Sequence, residues 1–280
     1  MLKNKMISRH QIDSQARCLT GRGYFIKRVL NTFCHFPSLW PWVVKRRLVD
    51  AALVGDFKGL EYYIHRALQR TLWFWPRLID ARLWIEGGEG HIRTPDNFVD
   101  FDRPSQALCD AVEKFVGALD APILDLGCNV GRHLDDLRKR GLSNLHGVDA
   151  MQAALNKMAE VYPSTHEMAQ LKHDLFQSYL MDQASQSFDI VYTHGATVEL
   201  VHPSFDIVRH VCRVTQNYVI LIQNEILPNG YPRFWHYEFA RHGFHLRAAL
   251  RPIGAYPDVK ITDPEIGNNM SLLIFQRHQD

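Results

Sequence analysis

The chain has 280 residues, a net charge of +2, 46% apolar and 22% charged residues, the composition of a soluble globular protein with room for one large domain plus an accessory segment. There is no run of eighteen apolar residues and no apolar core behind Lys3 and Lys5, so neither a transmembrane helix nor a signal peptide is expected. The cysteines (18, 34, 109, 128 and 212) form no CxxC pair and the fifteen histidines no HExxH spacing, so no disulfide framework and no metal site is expected, and a reducing cytoplasm is the natural compartment.

The charge is unevenly spread. Residues 1–100 hold 16 Lys/Arg against 9 Asp/Glu, and the remainder 16 against 21. Such asymmetry points to an anionic partner for the front part, or to a basic surface docked on an acidic domain. The first twenty-odd residues read as a loose polar arm. From Phe33 to Ile85 the chain predicts helices broken at Pro41, Gly55, Gly59 and Pro76. Five of the six tryptophans lie here (40, 42, 73, 75 and 84), interleaved with Lys45, Arg46, Arg47, Arg66, Arg70, Arg77 and Arg82. That pattern suits a helical cap packed on a core. It also suits an interfacial segment on an anionic membrane, peripheral to its inner face. Glu86 to Asp100 reads as a linker, so residues 1–100 form one region and 101–280 a second.

From Ser105 the pattern becomes regular. SQALCDAVEKFVGAL predicts a helix. APILDLG is a buried strand, and GRHLDDLRKRG a helix closed by Gly141. NLHGVDA is a second strand, followed by a helix over AALNKMAEVY that Pro163 stops. MAQLKHDL is a third strand. FDIVYTHG is a fourth, followed by a helix from Ser204 to Val214. NYVILIQNE is a fifth strand, and GYPRFWHYEFARHGF a helix. FHLRAALRPI and MSLLIFQRH are the sixth and seventh strands, without a confident helix between them. Strands and helices alternating at these lengths predict an α/β, doubly wound, mostly parallel sheet ending in an antiparallel edge hairpin.

The most informative stretch is ILDLGCNVGRHLDDL, Ile123 to Leu137: a strand, a glycine turn and a helix start. Glycines 127 and 131 let the backbone turn sharply and approach a ligand. A dinucleotide fingerprint would need glycine where Asn129 and Arg132 stand, and no Walker Gly-Lys-Ser/Thr is present. The Asp-x-Gly-x-x-x-Gly pattern resembles motif I of class I S-adenosylmethionine-dependent methyltransferases, over residues of about 105–278. Asn129 replaces the more usual middle glycine, and asparagine tolerates positive φ best after glycine. The resemblance implies a seven-stranded Rossmann-like sheet whose seventh strand inserts beside the fifth, and S-adenosylmethionine as cofactor.

Ligands of open α/β sheets bind at the carboxyl ends of the strands. After the first strand come Asp125, Gly127, Cys128, Asn129 and Gly131. Asp125 sits in an apolar strand, where a carboxylate is costly unless hydrogen-bonded; it is expected to hold the glycine loop or water near the methionine moiety. Cys128 reads as a space-filler. After the second strand come Asp149 and Ala150, 22 residues past Gly127 for the acid. The resemblance makes Asp149 the acceptor of both ribose hydroxyls. It makes Asp174, after the third strand, the acceptor from the adenine amino group, with the Leu175 N–H reading the ring. Either acid could instead cap a helix. Arg103 is a candidate partner of the donor's carboxylate, or a plain surface arginine.

THGATVELVHP, at the end of the fourth strand, supplies His194, Glu199 and His202. Histidine's ordinary pKa near 6.5 suits proton removal near neutrality. The alternative roles are a cofactor contact for His194 and a helix cap for His202. His236 and Tyr237 are weaker candidates for substrate contacts. No NPPY-type motif follows the fourth strand, which disfavours amino methylation of nucleobases or glutamine. The expected activity is methylation, most simply O-methylation, of a small molecule or a glycan or lipid-linked sugar. Alternatives are RNA methylation with the front part as platform, and a non-catalytic donor-binding protein. The missing third glycine disfavours a nicotinamide oxidoreductase.

Overall fold

The computed structural model describes residues 94–100, 103–195, 198, 201, 205–224, 235–250 and 270–278. The helices expected within residues 33–85 lie outside these, so the description concerns the second region and the seven residues leading into it.

The first strand shows why the chain folds as it does. β1 (Ile123–Leu126) is four residues long and buried throughout. An isolated apolar run of this length satisfies both faces only in the middle of a covered sheet. β1 pairs in parallel with β2 (Leu145–Asp149) on one side and with β4 (Phe188–His194) on the other. β3 (Gln170–His173) continues the sheet beyond β2 and β5 (Thr215–Asn224) beyond β4, again in parallel. β6 (Phe244–Leu250) and β7 (Met270–Arg277) close it, with β7 antiparallel to both β5 and β6. The order is β3-β2-β1-β4-β5-β7-β6. The seventh strand thus inserts beside the fifth, and the two closing strands form the antiparallel edge.

Because side chains alternate along a strand, the sheet divides the core in two. Ile123, Ile190, Tyr192, Ile220 and Ile222 face helices α1 (Arg103–Phe115), α2 (Arg132–Lys139) and α3 (Gln152–Val161). Leu124, Leu126, Val191, Val219 and Leu221 face the opposite cluster, where α5 (Phe176–Asp182), α6 (Ile207–Val214) and α7 (Trp235–Ala240) pack. The remaining helix, α4 (Pro163–Met168), is short. The fold is the doubly wound sheet that the alternation predicts, with a helical layer on each face.

Four elements differ from the sequence reading. Pro163 does not only stop α3; it occupies the first turn of α4, where its missing N–H costs nothing. β3 is consequently trimmed to Gln170–His173. α5 was not expected: its seven residues carry no capping side chain. The helix after β4 is set by Asp206, whose carboxylate accepts the Arg209 N–H, so α6 begins at Ile207.

The lead-in segment is fastened to this unit. A 3-10 turn over Pro95–Phe98 lies against α3 through Asp96 and Lys157 at 2.9 Å. The Tyr162 hydroxyl donates to Val99 O at 2.5 Å, and Arg132 Nη1 to Asp100 O at 2.8 Å.

Candidate functional site

The turn after β1 runs through three left-handed residues: Gly127 at φ 91°, Asn129 at 49° and Gly131 at 76°. Asparagine is among the few side chains that tolerate this region, and its Oδ1 accepts the Val130 N–H at 2.8 Å. Gly131 is favoured twice over. A Cβ there would lie 2.4 Å from Met158 Sδ, so the Met158 side chain would have to shift to admit one. The Gly127 and Cys128 amides both donate to Val148 O, at 2.9 and 3.1 Å. Cys128 is buried, with its sulfur where a Cβ on Gly147 would stand at 2.9 Å. Burial pushes its thiol well up. It fills space and is not an ionised nucleophile.

Asp149 ties this turn to the end of β2. One carboxylate oxygen accepts the Asn129 N–H at 2.9 Å and the other the Met151 N–H at 2.8 Å. It is not the cap of α3; that position is Met151, without a side-chain cap bond. Desolvation pushes its pKa up to about 6, opposed by the two backbone donors. Ala150 O accepts from His173 Nε2 at 3.0 Å, and the Asp174 N–H donates to Asp149 O at 3.1 Å. These bonds bring the ends of β2 and β3 together. Asp174 Oδ1 accepts the Leu175 N–H at 2.8 Å, so these two expected adenine contacts are engaged with each other. Leu175 itself is the cap residue of α5.

Of the two roles expected for Asp125, holding the glycine loop falls to Asp149 instead. The pleat of β1 sends Asp125 to the α1/α2 face, level with Gly147 on one neighbouring strand and Tyr192 on the other. Asp125 is fully buried, and neither oxygen completes a hydrogen bond. His133 Nδ1, from the first turn of α2, stands 3.5 Å from Oδ2. Desolvation raises the Asp125 pKa to about 7; the nearby Tyr192 hydroxyl, short of good hydrogen-bond geometry, and the Arg132 guanidinium pull it back. His133 Nε2 lies 3.0 Å from Ser105 Oγ and 3.2 Å from His194 Nδ1. His194, at the end of β4, is half-buried.

His133 was not anticipated from sequence. Glu199 and His202 lie outside the described residues, as do the side chains of Arg103, His236 and Tyr237. Among the described residues no group of three His, Cys, Asp or Glu could hold a metal ion, and no helix is long and apolar enough to cross a membrane.

Residues 123–217, from β1 into β5, match a protein family described as "Methyltransferase domain". Over these residues, about a third of the chain, the protein is similar to methyltransferases. No curated protein matches the sequence. Solved structures resemble it more distantly. An S-adenosylmethionine-dependent methyltransferase from Mesorhizobium loti is 16% identical, with 60% of this chain and 96% of that one covered and a TM-score of 0.46. A TehB-like S-adenosylmethionine-dependent methyltransferase from Corynebacterium glutamicum is 17% identical, with 66% and 98% covered and a TM-score of 0.48. The PH0226 protein from Pyrococcus horikoshii is 14% identical, with 70% and 96% covered and a TM-score of 0.49. Likenesses this distant do not bear on the reaction.

The cofactor that this similarity implies is S-adenosylmethionine. The residues present fit it. Each Asp149 oxygen takes one backbone donor and keeps a lone pair, so the carboxylate can still accept two hydroxyls. The left-handed turn beside it brings bare backbone to the same edge.

Proposed function

We propose that this protein is an O-methyltransferase whose acceptor is the hydroxyl of a small molecule or of a glycan or lipid-linked sugar. The observation that carries the reading is His194: a half-buried imidazole at the carboxyl end of β4, backed by a second histidine at 3.2 Å. Asp149 accepts the ribose hydroxyls, and the turn of Gly127, Cys128, Asn129 and Gly131 lies along the methionine end. Asp174 and the Leu175 N–H part from one another to meet the adenine.

S-adenosylmethionine supplies a methyl group already activated on a sulfonium. The chain's residues therefore align the acceptor and exclude water. When bound, the donor would supply its methyl group to the acceptor oxygen, and His194 would take the hydroxyl proton. Glu199 and His202, eight residues or fewer along, belong to the same proposed acceptor site. Arg103 is placed with the donor's carboxylate. To the basic, tryptophan-rich residues 33–85 we assign the choice of the acceptor, either as a cap or through peripheral contact with an anionic membrane. Their composition supports this part of the reading.

The test is methyl transfer from labelled S-adenosylmethionine into fractionated cell extract. Products that carry the label as a methyl ether support the reading. Label in RNA or on nitrogen, or none in any fraction, overturns it.

A further inference from the structure

We propose that Asp125 and His133 form a buried proton relay behind His194, fixing its ring tautomer and taking up the proton it collects from the acceptor. The inference rests on His194 facing the acceptor, as proposed above.

The contacts form a chain, from Asp125 Oδ2 through 3.5 Å to His133 Nδ1, and from His133 Nε2 through 3.2 Å to His194 Nδ1. The order follows from the fold. Asp125 and Tyr192 are level on adjacent strands, His194 is two residues beyond Tyr192 on the same face, and α2 lays His133 across them. The His133 ring meets Tyr192 edge-on at 6.1 Å and His194 at 5.3 Å, so packing restricts its rotation.

With the Nδ1 proton of His133 turned toward Asp125 across 3.5 Å, its Nε2 accepts from His194 Nδ1–H, and the other His194 nitrogen, Nε2, is the base. The acceptor proton enters at that nitrogen. His194 passes its Nδ1 proton to His133 Nε2, and His133 passes its own to Asp125 Oδ2. Both rings end neutral and the carboxylate becomes a carboxylic acid. The proton thereby quenches the least solvated charge of the site, whose pKa near 7 nearly matches histidine's. Ser105 serves either direction, because its hydroxyl at 3.0 Å from His133 Nε2 can donate or accept. The other titratable groups facing Asp125 are Arg132 from α2, Cys109 from α1, Cys128 in the turn, Asp149 from β2 and Tyr192 from β4. Of these only Arg132 is cationic, and Asp125 Oδ2 stands 3.5 Å from a His133 ring nitrogen.

The experiment needs no acceptor. The full chain, labelled with ring-15N histidine, is titrated from about pH 5 to 9, and variants identify the two rings. We expect neutral His133 in the Nδ1–H form and His194 titrating in coupled steps. In Asp125→Asn, His194 should lose its proton roughly one pH unit lower, about tenfold in proton affinity, because the anion that favours imidazolium is gone. His133→Gln should likewise reduce the His194 titration to a single step, and it provides a second variant if the first fails to fold. Calorimetry with S-adenosylmethionine on the same samples separates the two ideas. Donor binding with a His194 that titrates singly, unchanged in both folded variants, overturns the relay alone. Absent donor binding overturns the methyltransferase reading, while coupled titration still supports the relay.

Discussion

The Asn129 amide donates to the Asp149 carboxylate at 2.9 Å, so the glycine turn and the end of β2 form one unit. The bond uses the backbone N–H of Asn129; the side chain must tolerate φ 49°, and its Oδ1 accepts the Val130 N–H. Asn129→Gly should therefore keep donor affinity and lose only the side-chain bond, about 1 kcal/mol. Asn129→Val should cost about 1–2 kcal/mol more, the usual penalty for a Cβ in the left-handed region. Urea unfolding of the two variants checks this; equal midpoints would show that the backbone at 129 is not held left-handed.

Gly131 gives a second test of the turn. Gly131→Ala meets both the φ penalty and the Met158 side chain, and should lose roughly 2–4 kcal/mol. Met158 is flexible, so part of that loss is steric and recoverable. In the Gly131→Ala, Met158→Ala double variant the loss should be smaller than the sum of the single losses. Strict additivity in a double-mutant cycle would contradict the contact.

Asp125 makes a prediction about pH. Its folded pKa, about 7 against an ordinary 3.8, is raised, so the folded state holds this proton more tightly than the unfolded chain. The stability this contributes is complete below about pH 3.8 and is lost as pH rises to about 7. Asp125→Asn removes the dependence. The stability of that variant relative to the native protein should climb between those limits by up to about 4 kcal/mol. Taking the difference cancels other titrating groups, including Asp135, whose pKa is shifted down. A difference flat with pH would show that Asp125 is not desolvated.

His194→Gln should lower turnover by about 10²-fold or more while leaving donor affinity nearly unchanged, because a base acts only in the transition state. The same comparison sorts Glu199 and His202. If the main effect of His194→Gln is weaker donor binding, the residue contacts the cofactor and is not the base.

The strands were legible because buried parallel strands read as short apolar runs, and ILDL, FDIVY and YVILI are such runs. The glycine turn was legible because few residues adopt its φ values. Asp149 was legible by its distance from the turn, but its grip on Asn129 was not, since that bond joins segments 20 residues apart. His133 escaped notice because it lies one residue inside a helix whose neighbours are charged. The usable signal was a histidine in the first turn after a strand that carries a buried aspartate. α4 and α5 were missed because a proline reads first as a stop and because a seven-residue helix without a capping side chain leaves little trace.

The central claim is that the edge formed by Asp149 and the turn of residues 127–131 binds S-adenosylmethionine. The most direct measurement is calorimetric titration of the native protein and Asp149→Ala with S-adenosylmethionine, its demethylated product and NAD. The account predicts micromolar binding of the first two and none of NAD. Asp149→Ala should weaken binding by roughly 1–3 kcal/mol, since it leaves the ribose hydroxyls without their acceptor. Native protein that binds NAD and not S-adenosylmethionine, or an Asp149→Ala protein with undiminished affinity, would contradict it.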